Sequence, residues 1–362
     1  MTVAIILSSV LSLLVLVLAL VLPAVTSPTV PFGVRVPSQH ANEAVILRQT
    51  LVYRVRVVVI DIVAAGVCVA IYAVTGETLL LPLSVLVLLG VWYCCFFLAN
   101  HEVRTAKAAG GWYEGVRQGM AVDTALRTDP PRFPWLWLAP PVIITVATAV
   151  IGALMYRSMP DVLNVHYTAN GVPNRQAAKS VGTAFALVFV QIGVTALLTG
   201  VAATVVFRSR SDLDPAHPVS SSRWHRHYTE LGAKALLGLV AMIDLGMLGS
   251  SLLTWTGTAT RWAPLVVVIP ILLAVVVMFV VLARNNRVRD DGEQDTGLSH
   301  RDDDRYWRGG LFYVNRDDHS VFVPRRFGIG WTLNFGNPRA AMFLLGILAV
   351  VALAITLRLG GQ

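Results

Sequence analysis

The segment MPDVLNVHYTANGVPNRQAAK (Met159 to Lys179) separates two apolar runs, WLWLAPPVIITVATAVIGALM (Trp135 to Met155) and VGTAFALVFVQIGVTALLTGVAATVVF (Val181 to Phe207). Each run is near the length of about 20 residues that a helix needs to cross the hydrocarbon of a bilayer. The polar piece between them carries turn chemistry twice over. Asn170-Gly171 supplies the positive φ that a tight turn demands, and Pro173-Asn174 starts a second bend. Two membrane helices need only a few residues to join them, so this loop is expected to do more than connect.

Six further apolar runs repeat the pattern: Val3 to Val25, Val57 to Val74, Leu79 to Leu98, Leu231 to Leu253, Ala263 to Ala283 and Ala340 to Leu357. The 362-residue chain is 55% hydrophobic and only 14% charged, where soluble domains carry about 25% charged residues. Lipid therefore replaces water as the solvent for most of it. A helix satisfies its own backbone within one isolated segment in lipid. The expected fold class is an all-α polytopic membrane protein, with about eight transmembrane helices and a small cytoplasmic β unit. Val3 to Val25 has no positive residue before it and exceeds the apolar stretch of about 7–15 residues in a signal peptide. It reads as a retained first span.

Positive charge sets the orientation. The loops after the first, third, fifth and seventh runs, with their flanks, hold 24 of the 29 Lys and Arg residues. That asymmetry places those loops in the cytoplasm and both termini outside, in the cell membrane. The loop at 157–180 is then outside as well. Trp255 and Trp262 are expected at the outer interface, Trp135 and Trp137 at the inner one. The basic residues fix topology, so no nucleic acid is expected as a partner. Cys68, Cys94 and Cys95 all fall in apolar runs and form no metal or disulfide pattern.

Five segments follow from this layout: 1–134 with three helices, 135–210 with two helices around the outer loop, 211–284 with helices six and seven, 285–339 as a charged linker plus a β-rich piece, and 340–362 as the final helix. Within the cytoplasmic loops, PFGVRVP (Pro31 to Pro37) reads as extended. Ala106 to Arg127 reads as a helical hairpin at the inner surface. RWHRHY (Arg223 to Tyr228) reads as an interface anchor, and Asn285 to Arg305 as a charge-dense, mobile stretch. DDGEQD (Asp290 to Asp295) lacks the ligand spacing of a calcium loop. LFYVN and HSVFVPRR read as two paired strands, with GIGWTLNFG as a third. PFGVRVP is expected to pair with, or pack on, VPRRFGIGWTLN.

Pro160, His166, Asn170-Gly171, Pro173 and Lys179 resemble the P…H-x-N-x-x-G-x-P…K pattern of a bacterial membrane domain, domain of unknown function 1648, found in SdpI-type immunity proteins. The resemblance covers roughly Leu138 to Phe207. Tyr167 stands where that family often has Phe, and Asn174 where it often has Asp. A second resemblance, to domain of unknown function 5808, rests on Trp307, Tyr313, Asn315, Arg326, Trp331, Thr332, Asn334 and Phe335. The first resemblance implies protection against a membrane-acting toxin. The second implies no biochemical role.

Two carboxylates stand inside spans. Asp244 lies mid-span with no basic residue nearby in its own helix, and Gln191 is its candidate partner. Asp61 lies near the inner end of its span, within reach of Arg54 or Arg56. The outer-loop candidates for ligand recognition are His166, Tyr167, Asn170, Gly171, Pro173 and Lys179. His166 could bind metal, titrate, hydrogen-bond a partner, or hold the loop together; no other outer His or Cys completes a metal site. No nucleophile elbow, phosphate loop or HExxH motif occurs, so catalysis, cofactor and metal are not expected. The expected function is immunity to, or sensing of, a membrane-acting toxin or extracellular peptide, with the lipid bilayer and a cytoplasmic protein as further partners. The alternative is a secondary transporter using Asp244.

Overall fold

The computed structural model describes residues 2–75, 80–121, 130–168, 170–287 and 292–359. In chain order the longer helices are α1 (Thr2–Val25), α2 (Ala44–Thr75), α3 (Leu80–Ala109), α4 (Ala139–Met155), α5 (Ala186–Arg208), α6 (Pro218–Thr256), α7 (Ala263–Arg284) and α8 (Pro338–Leu359). The strands are β1 (Gln118–Gly119), β2 (Val162–Tyr167), β3 (Pro173–Ala178), β4 (Ser299–His300), β5 (Trp307–Arg308), β6 (Phe312–Tyr313), β7 (Phe322–Pro324) and β8 (Trp331–Leu333). All are paired in twos: β1 with β4, β2 with β3, β5 with β6, and β7 with β8.

Six helical segments are long and apolar enough to cross a membrane: Ile5–Val25, Val85–Ala109, Trp135–Ser158, Ala186–Arg208, Pro218–Thr256 and Ala263–Arg284. They match six of the eight expected runs. The second run lies in α2, which is one unbroken helix carrying Arg54, Arg56 and Asp61, and the eighth lies in α8. This is the architecture of a mostly helical, multi-pass membrane protein.

The chain forms two compact units. The first comprises Met1–Pro130, Ser209–Tyr228 and Ala283–Asn337; the second comprises Pro131–Arg208, Thr229–Leu282 and Pro338–Gln362. In the first unit α1, α2 and α3 pack around a core that includes Phe32, Val34, Val36, Tyr53, Phe96, Val103 and Phe327. The PFGVRVP segment is driven into that core, with Phe32 stacked 5.9 Å from Phe327. It packs on VPRRFGIGWTLN as expected, and Arg326 Nη1 donates to Gly33 O at 3.0 Å. It does not pair as a strand: Pro31–Gly33 is a 3-10 turn with Phe32 at φ +48°.

The strand partners near the C-terminus also differ from expectation. LFYVN and HSVFVPRR do not pair with each other. Phe312–Tyr313 turns back on Trp307–Arg308 through Gly309-Gly310, both at positive φ, and Phe322–Pro324 pairs with Trp331–Leu333. The two ladders meet at a bridge between Tyr313 and Asn334. Asn334, fully buried, accepts from Asn315 N and donates to the carbonyls of Asn315, Asp318 and Ser320, so one amide fixes the whole crossing. The helical hairpin expected over Ala106 to Arg127 is absent from its described part, because α3 stops at Ala109 before the Gly110-Gly111 pair. Residues 122–129 lie outside the described set, as do Asp290 and Asp291 of the DDGEQD stretch.

In the second unit, α6 and α7 approach closely. A Cβ on Gly246 would meet Val267 Cα at 3.1 Å, and one on Gly249 would meet the Val266 side chain. Small residues of this kind let membrane helices pack backbone to backbone. Trp255, expected in an interfacial belt, is instead 1% exposed and donates to Ala184 O at 2.7 Å. Its indole N–H finds its acceptor in the protein core rather than at a headgroup. Trp135, Trp137 and Trp262 do remain exposed.

Candidate functional site

The polar segment that separates the two apolar runs is a β-hairpin. Val162 faces Ala178, Leu163 faces Ala177 and Asn164 faces Gln176, after which the register shifts twice. The shifts leave Val165 and Asn174 without opposite residues, as β-bulges do. Gly171 sits at the turn with φ +74°, and its N–H donates to Thr168 O at 2.8 Å. A Cβ there would collide with the backbone of Thr260 and Arg261, so both conformation and space call for glycine. Pro173-Asn174 starts no second bend: both residues belong to strand β3.

The hairpin is held from several sides. Leu163 is fully buried in a cluster with Met159, Ala184, Val188 and Trp255. Lys179 Nζ donates to Met159 O at 2.8 Å and lies 3.2 Å from Asp161, which clamps the base. Tyr167 Oη donates to Thr258 O at 3.2 Å, and Asn164 Nδ2 to Gly257 O at 3.4 Å, tying the strands to the α6–α7 connection. His166 Nδ1 lies 2.5 Å from Asn174 Oδ1, so it bridges the two strands. Of its expected roles, this geometry gives His166 that of holding the loop together. Asn170 keeps its side-chain oxygen buried without a partner, beside the turn it forms. Among the described residues no group of His, Cys, Asp or Glu is placed to hold a metal.

Beneath the hairpin lies a cavity of about 410 Å³. Its mouth carries His166, Tyr167 and Thr168, and its walls come from α5, α6 and α7, with Leu187, Val190 and Val267 among them. Ser251 also lines it, and its hydroxyl is buried with no hydrogen-bond partner. A concave, mostly apolar space with a few polar groups at one end is the usual form of a ligand pocket. Sequence reading found the mouth of this cavity but not its walls, because apolar residues in a span look alike whether they face lipid or a pocket.

Asp244 lies one turn of α6 from Met247, a wall residue of that cavity. Its side chain is fully buried and takes bonds from Thr195, with Thr145 close by. Gln191, also fully buried, donates to Thr145 Oγ1 at 3.3 Å and lies against the Asp244 carboxylate itself. Asp61 stands apart in α2 and makes no ion pair among the described residues. The expected pairing with Arg54 or Arg56 is therefore not seen; α2 turns both arginines outward, where their side chains are exposed.

The first unit holds a charged centre that sequence reading missed. Arg35, 4% exposed, bonds Asp212 at 2.6 Å and Asp303 at 3.3 Å. Arg326, also 4% exposed, grips Asp303 and Asp304 and stacks 4.9 Å over the Trp307 ring. Lys107 bonds Asp302 and Asp304, each at 2.8 Å. Arg210 bonds Asp318 at 3.2 Å and the Tyr313 hydroxyl at 2.9 Å. Burial alone would raise the Asp212 carboxyl, but Arg35, His300 and Arg210 outweigh it and hold it well below the usual range. Burial, with Arg35 adding to it, pushes the His300 imidazole down to about 4.

These contacts tie down the far end of a stretch expected to be mobile, since Asp302–Asp304 are partners rather than solvent charges. RWHRHY is likewise an internal anchor: Trp224 donates to Asn285 O at 2.7 Å and stacks on Tyr228, which packs 5.4 Å from Trp331. The remaining motif residues serve the same body. Trp307 and Tyr313 are buried against each other at 5.2 Å, and Asn315 Nδ2 donates to the Tyr313 hydroxyl at 3.1 Å. The signal that could have found the centre is Arg35 itself, an arginine between two valines in a proline-bounded apolar segment.

Residues 143–192 match the model of a domain of unknown function, DUF1648, and residues 316–340 match a family of unknown function, DUF5808. The first match spans part of α4, the whole hairpin and the start of α5. The second spans β7, β8 and Arg326, and ends at the start of α8. No curated protein and no solved structure matches the chain.

Proposed function

We propose that this chain is an SdpI-like multi-pass protein of the plasma membrane that recognises a membrane-acting peptide toxin or extracellular peptide, without catalysing a reaction. In this reading eight helices cross the bilayer, both termini and the hairpin face outward, and the charged unit faces the cytoplasm, where a protein partner is expected. The observation that carries the reading is the 410 Å³ cavity under the hairpin. Its apolar walls suit the buried face of a membrane-active peptide. Its polar mouth and the orphan Ser251 hydroxyl offer a few directional contacts. Tyr167 stands at that mouth, its hydroxyl reaching Thr258 O at 3.2 Å and Leu253 O at 3.4 Å, and is placed to meet what enters. Binding would act on the bundle only through a difference in affinity between two of its states.

The test is photo-crosslinking in living cells from a reactive side chain at position 167. The expected result is capture of one defined peptide, abolished by Val267→Trp, which fills the cavity from its wall. Absence of capture, in cells where impermeant labelling places the hairpin outside, would overturn the reading.

A further inference from the structure

Asp244 is a charge without a counter-charge. Its two oxygens accept from Thr195 Oγ1 at 3.0 and 2.9 Å, and Thr145 Oγ1 lies 3.5 Å from the second. Everything else around it is uncharged. Helix α4 contains no ionisable residue. The ionisable residue of α5 is Arg208 and that of α7 is Arg284, each at the last position of its helix. Helix α8 carries arginine only near its ends, at Arg339 and Arg358. Within α6 the nearest basic residue is Lys234, ten positions or about 15 Å along the axis. Lys234 is also already bonded to Glu230 at 2.8 Å. Two hydroxyls and one amide, all uncharged, are poor compensation for a full charge in a low-dielectric interior.

Gln191 supplies the second observation. It is fully buried, its Nε2 lies 3.3 Å from Thr145 Oγ1, and its Oε1 has no donor. Turning the amide over would set Oε1 against Thr145 instead. The cluster thus offers carboxylate, hydroxyl and amide oxygens, with one acceptor unused. An all-oxygen set with a single carboxylate suits one hard, singly charged cation rather than a transition metal or calcium.

We propose that Asp244, Thr195, Thr145 and Gln191 form a buried site for one monovalent cation, taken up as a proton or as a sodium ion. The carboxylate binds it, the two threonines orient the carboxylate, and Gln191 Oε1 is the further acceptor that a proton or ion satisfies. The site does not depend on the recognition of a peptide by the hairpin.

The test uses the full chain in lipid nanodiscs, compared with Asp244→Asn and Thr195→Val. Infrared difference spectra between wild type and Asp244→Asn are recorded in choline buffer without sodium, from acid to alkaline pH, together with thermal midpoints with and without sodium. A carboxylic-acid stretch that persists in choline at neutral pH, well above the ordinary carboxylate range, assigns a proton. A carboxylate stretch, with a midpoint raised several degrees by sodium and not by potassium, assigns sodium. In either case Asp244→Asn folds and loses the response, and Thr195→Val shifts the pH or sodium concentration at half-response by roughly tenfold or more. A carboxylate stretch in choline at neutral pH, with a midpoint indifferent to sodium, would overturn the proposal.

Discussion

Arg326→Met removes one cation from between two carboxylates. The methionine keeps most of the apolar stem and its place over Trp307, so the change isolates the charge. Breaking a buried pair by removing one partner costs about 3–5 kcal/mol. Two contacts reduce that figure here: Asp304 keeps Lys107 at 2.8 Å, and Asp303 keeps Arg35 at 3.3 Å. The lost bond to Gly33 O works the other way, leaving a carbonyl unpaired beneath the Phe32 turn. A net cost of about 2–4 kcal/mol follows, which lowers the thermal midpoint by on the order of 5–10 °C. Detergent-solubilised protein, heated and read by fluorescence-detected size-exclusion chromatography, gives the midpoint. Arg316→Met, at an exposed position, serves as control. Adding Asp303→Asn and Asp304→Asn to the Arg326→Met variant should recover part of the loss, because the stranded charges go with it. A midpoint for Arg326→Met within a degree or so of the control would refute the reasoning.

Gly171→Ala should cost about 1–2 kcal/mol for the left-handed backbone alone and more for the collision with Thr260 and Arg261. A protease-sensitivity assay should find the hairpin cut faster than in wild type. Acid should destabilise the charged unit in two stages. His300 and Asp212 both have folded values below their unfolded ones, so the stability they contribute is present above the unfolded values and lost as pH falls through the folded ones. The decline therefore begins below about pH 6.5, the free-imidazole value, and steepens below about pH 4 where carboxylates protonate. His300→Gln should shrink the first stage, with buried His225 of the same unit carrying the remainder, and leave the second in a midpoint-versus-pH series. Lys179→Met should loosen the hairpin base by about 0.5–1.5 kcal/mol, since it removes the bond to Met159 O while its exposed partner Asp161 returns to water.

Span positions were legible because hydrocarbon imposes a length and a composition on each helix, and α1, α3, α4, α5, α6 and α7 lie where those rules put them. The charged centre was not legible, because its members are scattered: Arg35, Lys107, Asp212 and Asp304 come from four separate stretches, and nothing local distinguishes a solvated Asp from one gripped by two cations. The hairpin fell between these cases. Asn170-Gly171 announced its turn, but Pro173 was read as a bend when a proline at the first position of a strand loses no ladder bond. Asp244 was marked by its depth in the span, and Gln191 was rightly named near it. The threonines that actually touch it were invisible, since Thr145 and Thr195 sit among the many small residues of their helices.

The bond from Arg326 to Gly33 joins residues 293 positions apart in the chain. A ribosome adding about 5–20 residues per second needs roughly 15–60 s to cover that interval. Throughout that time Phe32, Val34 and Val36 have been made but lack the Phe327 and Arg326 that seal them in. Arg35 waits too, gaining Asp212 first and Asp303 much later. The early part of the protein must therefore persist in the bilayer as an unfinished body, its apolar hook open, until Arg326 and Phe327 have been made. Truncation anywhere before Arg326 would leave that hook permanently unsealed, a ready substrate for membrane quality-control proteases.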